Sequence, residues 1–215
     1  MNKIPKHIAI IMDGNRRWAK KYKKPVVFGH KKGVDVLREI VRHAGEIGVE
    51  YLTVFAFSTE NIGRSKMEVS ALMSLFARAL KEEVSGLDKN NVKLRFIGKI
   101  LELPSNLQEE IKNAEKKLSL NTGLNLIVAV NYGSKTEIED AARKGKIEEN
   151  LYTKGIPDPD LIIRTGGMIR LSNFLLWQGA YAELYFSDIL WPSFAKKDLD
   201  KAILDYNRRE RRFGR

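Results

Sequence analysis

His7-Ile8-Ala9-Ile10-Ile11-Met12-Asp13-Gly14-Asn15-Arg16-Arg17-Trp18 decides how the rest of the chain is read. An apolar run of strand length, residues 7–12, stops abruptly in Asp-Gly-Asn, and two arginines and a tryptophan follow at once. A continuous apolar run is the mark of a strand covered on both faces, as in a parallel sheet. Such a strand delivers its following turn to the carboxyl edge of the sheet, where α/β folds bind ligands. An acid, a glycine and two guanidinium groups suit a phosphate and its metal. An ordinary Asp-Gly turn before an amphipathic helix fits this stretch equally well.

The same pattern recurs downstream. Residues 33–47 carry Val34, Leu37, Ile40, Val41 and Ala44 at helical spacing, and Gly48 ends them. Residues 51–57, rich in β-branched and aromatic side chains, predict a second buried strand and so a βαβ unit. The polar stretch 58–65 leaves it, and a helix is predicted over 66–84 with Val69, Leu72, Met73, Phe76, Ala77 and Leu80 on its apolar side. Further strands are predicted at 92–97, 124–130 and 161–163, and helices at 104–118, 135–143 and about 196–209. Strand 124–130 ends in Asn131-Tyr132-Gly133-Ser134, and 161–163 ends in Arg164-Thr165-Gly166-Gly167. The predicted fold is α/β: a mostly parallel central sheet flanked by helices, in a single domain over residues 1–215.

Composition narrows the function. The 215 residues are 43% hydrophobic and 30% charged, which fits a globular domain with a sizeable core. With no cysteine, disulfides, thiolate catalysis and cysteine-bound zinc are excluded. His7, His30 and His43 are too scattered to suggest a histidine metal site. The formal charge of +11 favours phosphorylated ligands, polyanions or acidic membrane surfaces. No apolar segment is long enough for a signal peptide or a membrane span, so a cytoplasmic protein is expected, with peripheral membrane contact allowed. Neither G-x-x-x-x-G-K-[ST] nor G-x-G-x-x-G occurs, which removes the main support for kinase-like and dinucleotide-dependent readings. Trp18, Tyr22, Trp177 and Tyr181 are assigned to core packing rather than base stacking. With no zinc-finger or RNP pattern, nucleic acid is not expected as a partner.

Arg16/Arg17, Arg64, and Arg164 with Arg170 mark three arginine-bearing turns. Arginine grips phosphate oxygens bidentately. Glycines at 14, 166 and 167 let the backbone approach an anion. Asp13 and Glu183 are candidate Mg²⁺ ligands, since Mg²⁺ takes oxygen ligands and bridges carboxylate to phosphate. Each has a plainer reading: a surface turn for Arg64, an arginine-paired carboxylate for Glu183, a solvated helix face for the C-terminal arginines.

The ordered motifs resemble the cis-prenyltransferase family, which includes undecaprenyl diphosphate synthases. They are His7–Ala19, Phe28-Gly29-His30, Ala56–Asn61 with Arg64, Asn131-Tyr132-Gly133, Pro159–Gly167, Arg170–Gln178, Tyr181–Phe186 and Arg208–Gly214. The resemblance spans almost the whole chain. It implies Mg²⁺-dependent condensation of isopentenyl diphosphate with an allylic diphosphate to a Z-polyprenyl diphosphate, a lipid-carrier precursor. It implies a homodimer and a hydrophobic tunnel for the product. By that resemblance Asp13 is the metal-linked carboxylate and Asn61 takes part in proton handling. Gly14, Asn15, Arg16, Arg17, His30, Ser58 and Arg64 serve the allylic diphosphate. Arg164, Arg170, Ser172 and the tail residues Arg212 and Gly214 serve isopentenyl diphosphate. Glu183 joins the metal, across the paired site if need be. Ala56, Met73, Phe76 and Leu124 are expected along the tunnel, with core packing as their alternative. Arg16, Val26, Ile62 and Met168 depart from common family residues, and the segment from Asn131 to Pro157 is short. A short-chain or irregular Z-prenyl diphosphate synthase is therefore the alternative, and a noncatalytic prenyl-diphosphate or nucleic-acid binding subunit the alternative of another class.

Overall fold

The computed structural model describes residues 3–63 and 65–210, and of Ile62 only the backbone. The elements run β1 (His7–Ile11), α1 (Asn15–Lys21), α2 (Val26–Glu46), β2 (Tyr51–Ser58), α3 (Lys66–Lys89), β3 (Lys93–Ile97), α4 (Ser105–Lys117), β4 (Asn125–Tyr132), α5 (Ser134–Arg143), α6 (Ile147–Asn150), β5 (Leu161–Arg164), β6 (Glu183–Phe186) and α7 (Lys196–Asn207). The six strands form one sheet in the order β3-β4-β2-β1-β5-β6. Every pairing is parallel, so the mostly parallel sheet expected from the sequence is parallel throughout these strands.

Strand β1 is buried at all five positions, as its unbroken apolar run requires. Its side chains divide by period two. Ile8 and Ile10 enter the larger core, while Ala9 and Ile11 enter a smaller one with Ile127, Ala129, Tyr132 and Phe174. A fully buried isoleucine such as Ile10 contributes about 1.5–3 kcal/mol. From β1 the sheet extends one way through β2, β4 and β3 and the other way through β5 and β6. The carboxyl ends of β1 and β5 therefore flank the point where strand order reverses, the usual ligand crevice of an open α/β sheet.

Two helices differ from expectation. Helix α1 occupies the Arg-Arg-Trp segment directly after the turn, and α2 begins at Val26 rather than residue 33. Gly29 and Gly33 break the periodic pattern but serve packing. A Cβ on Gly29 would lie 2.2 Å from the Asn15 carbonyl oxygen, and one on Gly33 would lie 2.5 Å from Asn15 Oδ1. The two glycines thus seat α2 directly against the start of α1. Strand β6, not among the strands predicted from the sequence, is a four-residue, half-buried edge strand. The four aromatics assigned to core packing are not in it: Tyr22, Trp177 and Tyr181 are exposed and Trp18 is half-buried.

Helix α3 positions the site by what it leaves open. It has 24 residues and an apolar side, yet only Met73 and Leu80 are buried. Leu72, Leu75, Phe76, Ala79 and Leu87 instead line a hollow between α3, α2 and the sheet. Among the described residues no helix is long and apolar enough to cross a membrane.

Candidate active site

Asp13 follows β1 and Arg164 ends β5, so both sit at the switch point. They meet there: Arg164 Nη2 donates to Asp13 Oδ2 at 2.9 Å. Arg17, one turn into α1, places Nη2 3.1 Å from Asp13 Oδ1 and donates from Nη1 to the Gly166 carbonyl at 2.6 Å. Gly166 has φ of 85°, and a Cβ there would lie 2.5 Å from Arg17 Nη2, so only glycine lets the turn close on the guanidinium. The Asp13 backbone is fixed as well. Its carbonyl accepts from the Trp191 N–H at 2.9 Å and from Thr165 Oγ1 at 2.8 Å.

Arg164 is the hub. Its side chain is 5% exposed and also donates from Nη1 to the Arg170 carbonyl at 2.6 Å and to Ser172 Oγ at 2.7 Å. Its buried Nε has no hydrogen-bond partner among the described residues. Arg164 thus orders the loop that presents the exposed Arg170 and Ser172. That loop is conformationally demanding, with positive φ at Ser172, Asn173 and Leu175.

Its supports come from far along the chain. Asn173 accepts from the Ser134 N–H with its carbonyl and from the Lys135 N–H with Oδ1, both at 2.8 Å. Its Nδ2 donates to Glu60 Oε1 at 2.7 Å. Burial alone would raise the Glu60 carboxyl. Hydrogen bonds from Asn173, from its own amide and from Ser58 and Thr59 outweigh this and hold it below the usual range. Beneath the loop, Gln178 Nε2 donates to Glu137 Oε2 at 3.1 Å and to Thr153 Oγ1 at 2.8 Å. Fully buried Glu137 also accepts from the Tyr132 hydroxyl and the Tyr152 N–H. Burial, then the Glu137 charge, pushes the Tyr132 hydroxyl far above its ordinary value.

These groups form the mouth of a cavity of about 1300 Å³. Asp13, Gly14, Asn15, Arg16, Arg17, His30, Ser58, Asn61, Arg164, Arg170 and Ser172 all line it, as do Ala56, Met73 and Phe76. The structure thus gathers them from six separate segments. Asn61 Oδ1 accepts from the Ser58 N–H at 3.3 Å, so this side chain shapes the turn after β2. Arg16 is solvent-exposed, with Nη1 3.7 Å from Glu68 Oε1.

Two expected residues lie elsewhere. Leu124 precedes β4 and is buried in the core, outside the cavity lining; Leu126, Val128 and Val130 of β4 line it instead. Glu183 opens β6 and pairs in register with Leu161, at the amino end of β5, whereas Arg164 is at the carboxyl end. Three residues of strand, about 10 Å, therefore separate the level of Glu183 from that of Arg164. Glu183 is bound there by Arg209 at 2.8 Å and is not brought to Asp13 within one chain. Arg64, Arg212 and Gly214 lie outside the described residues. Asn173, Glu60 and Lys135 were not picked out in the sequence but line the mouth. Asn173 did offer one signal, an Asn within the Arg170–Gln178 motif beside a serine, both residue types that tolerate turns.

Residues 11–214 match the family described as "Putative undecaprenyl diphosphate synthase". The chain belongs to the cis-prenyltransferase family. It is 51% identical over 231 residues to an isoprenyl transferase of Clostridium tetani, covering 100% of this chain and 91% of that relative. It is 50% identical over 228 residues to the ditrans,polycis-undecaprenyl-diphosphate synthase ((2E,6E)-farnesyl-diphosphate specific) of Haemophilus influenzae, covering 98% and 95%. Among solved structures, lavandulyl diphosphate synthase from Lavandula x intermedia in complex with dimethylallyl diphosphate matches with a TM-score of 0.94 at 38% identity, covering 98% of each chain. A "probable undecaprenyl diphosphate synthase" from Campylobacter jejuni matches with a TM-score of 0.85 at 36% identity, covering 99% of this chain and 100% of that one. The sheet, the flanking helices and the crevice are therefore those of a cis-prenyltransferase, and the protein is a prenyltransferase that condenses isoprenoid units.

Proposed function

We propose that the mouth holds two diphosphates on either side of the Asp13–Arg164 pair and that the chain elongates an allylic primer by repeated Z addition of isopentenyl diphosphate. The observation that carries this reading is the joining of a cationic, carboxylate-centred mouth to a long apolar cavity. At roughly 30 Å³ for each heavy atom, a water's share of liquid volume, about 1300 Å³ holds on the order of 40 atoms. After the diphosphates take their part, more room remains than a ten-carbon product needs. That favours a longer product. The short-chain or irregular reading is favoured by a different observation, the higher TM-score with lavandulyl diphosphate synthase.

In the proposed arrangement Arg17, with Asn15 and the Gly14 turn, faces the allylic diphosphate, joined by His30, Ser58, Arg16 and Arg64. Arg164, Arg170 and Ser172 face isopentenyl diphosphate, joined by Arg212 and Gly214. Asp13 fits a magnesium ion, because Mg²⁺ is commonly held by one or two carboxylates plus substrate phosphates. No group of three or more His, Asp or Glu side chains among the described residues is placed to hold a metal ion, so substrate phosphates complete the donor set in this arrangement. Glu183 joins it only from a second copy, which is the proposed role of a homodimer. The ion, when bound, draws charge onto the leaving diphosphate. Arg17 and Arg164 then exchange the Asp13 carboxylate for phosphate oxygens and stabilise charge that grows as the allylic C–O bond breaks. The isopentenyl alkene bonds to the electron-poor allylic carbon, the diphosphate departs with the electron pair, and loss of a proton sets the new double bond. Asn61 acts by holding the turn, since an amide is not a base at neutral pH.

Labelled isopentenyl diphosphate, incubated with primers from dimethylallyl to geranylgeranyl diphosphate and Mg²⁺, is expected to enter products longer than ten carbons on chromatography. No incorporation with any primer would overturn the assignment of substrates. Products of ten carbons or branched products would select the short-chain or irregular reading.

A further inference from the structure

Between Gly14 and Val34 the chain carries eight cations, Arg16, Arg17, Lys20, Lys21, Lys23, Lys24, Lys31 and Lys32, and no carboxylate. In the structure residues 20–28, from the end of α1 across the turn at 22–25 into the first residues of α2, are exposed without interruption. Among them Tyr22, Val26, Val27 and Phe28 are 49%, 38%, 47% and 52% exposed. Half-exposed apolar side chains at four places in so short a stretch are unusual, because folding normally hides such groups or scatters them singly. The Trp18 and Tyr22 rings pack tilted at 44°, with centroids 4.7 Å apart, and Lys21 Nζ lies 5.8 Å from the Tyr22 ring centre. None of the six lysines has an ion-pair partner among the described residues; the lysines that do, such as Lys6, Lys99, Lys146 and Lys196, lie elsewhere.

We propose that this stretch, with the lysines around it, is a docking surface for an anionic lipid bilayer. Aromatic and aliphatic tips ringed by lysines match the boundary between headgroups and acyl chains: the apolar tips enter, and the ammonium groups meet phosphate. A nucleic acid would use the charges but gains little from Val26 and Val27, so the apolar component favours the bilayer. Position gives the surface its use. Arg16 and Arg17 of α1 and His30, Gly33 and Val34 of α2 line the cavity, so the same two helices form the mouth and the patch. Helix α1 is seven residues long, which puts the patch about 10 Å from the Asp13 turn. An amphiphilic product formed at the mouth is then released beside a membrane surface. This part rests on the proposed function; the docking itself does not.

The test is sedimentation of the full chain with vesicles of phosphatidylcholine alone or mixed with phosphatidylglycerol. Binding to the mixed vesicles alone, weakened by salt, is expected. Each lysine near an anionic surface is worth about fivefold in binding, so K20E/K21E/K24E is expected to lower it by a factor of one hundred or more, about 5³. Tyr22→Ser with Val27→Ser, neither of which lines the cavity, is expected to weaken binding at unchanged charge. Both variants should keep wild-type melting and wild-type incorporation with dimethylallyl diphosphate in solution. Wild type that ignores mixed vesicles, or variants that bind them like wild type, would overturn the proposal. So would binding of single-stranded RNA lost with the lysines but kept in the serine variant, or a change of mass by light scattering in either variant, which would make the stretch a contact between copies. Failure of wild type to make any prenyl product would remove the proposed function and leave the vesicle result to decide docking.

Discussion

Asn173 is expected to control how well the two halves of the mouth are held together. Its Nδ2 reaches Glu60 after β2 at 2.7 Å, and its Oδ1 reaches the Lys135 amide at the start of α5 at 2.8 Å. It follows Ser172, which Arg164 grips. Asn173→Asp keeps the acceptor for Lys135 and replaces the donor to Glu60 by a second carboxylate oxygen. Two unit charges 2.7 Å apart repel by roughly 1.5 kcal/mol in water and about 6 kcal/mol at an effective dielectric constant of 20. Glu60 is exposed, so solvent screening and side-chain movement bring the cost near the lower figure, about 1–2 kcal/mol. If the loop carries that whole cost into the transition state, kcat/KM for isopentenyl diphosphate falls about 5- to 30-fold.

The pair also makes the reasoning refutable. Glu60→Gln in the Asn173→Asp background restores an amide-to-carboxylate hydrogen bond with the partners exchanged, and activity should return towards that of Glu60→Gln alone. Steady-state kinetics on the four proteins closes a double-mutant cycle. A coupling energy below about 0.5 kcal/mol would show that the Glu60–Asn173 contact does not position the loop. Asn173→Ala is expected to be worse than Asn173→Asp in stability, since it strips the Lys135 contact and puts a Cβ-bearing residue without a local hydrogen bond at φ of 63°.

Three further outcomes are expected. His7 is held neutral: burial lowers its pKa to about 4, while Nδ1 donates to the Pro157 carbonyl at 2.6 Å and Nε2 accepts from Thr53 Oγ1 at 2.7 Å. Because the folded pKa lies below the unfolded value of about 6.5, this stability is present above pH 6.5 and is lost as the pH falls towards 4, by about 3 kcal/mol in all. Urea midpoints measured across that window should slope in wild type and flatten in His7→Asn; equal slopes would place the acid sensitivity elsewhere. Leu126→Trp, which fills the cavity at the amino end of β4, should shift products to shorter chains while the first addition to the primer continues, and an unaltered product pattern on chromatography would exclude that end as the path of the hydrocarbon. Asp13→Asn should lower kcat by about 10²–10³, the scale of losing one preorganised electrostatic group, with melting followed in parallel because Arg164 loses its counter-charge; turnover kept at wild-type level would remove Asp13 from its proposed place.

Much of this fold is legible in the chain because parallel strands need apolar cover on both faces. The runs 7–12, 51–57 and 124–130 announce themselves, and the polar residues directly after each end up at one edge. The first turns of α2 are not legible, since Gly29 and Gly33 look like breaks until α1 is seen lying against them. The hollow under α3 is only half legible. Helical spacing shows that Leu72, Phe76 and Leu80 form an apolar side; it does not show whether protein or ligand covers that side. Asn173 is hidden for another reason. Its side-chain partners are 38 and 113 residues away, and a donor or acceptor gains its meaning from the group it meets.

Glu183 shows what grouping residues by chemical type leaves out. Asp13 and Glu183 are both carboxylates beside apolar runs, and type alone makes them candidate ligands of one ion. Yet Asp13 comes after its strand and Glu183 begins its own. In a sheet whose strands all run the same way, those two positions fall at opposite edges. The groups that do converge, Asp13, Ser58, Asn61 and Arg164, all stand at or just beyond the carboxyl end of a strand. Parallel topology therefore sorts charged residues by the end of the strand they occupy, and a carboxylate at the wrong end reaches the mouth only if another chain brings it there.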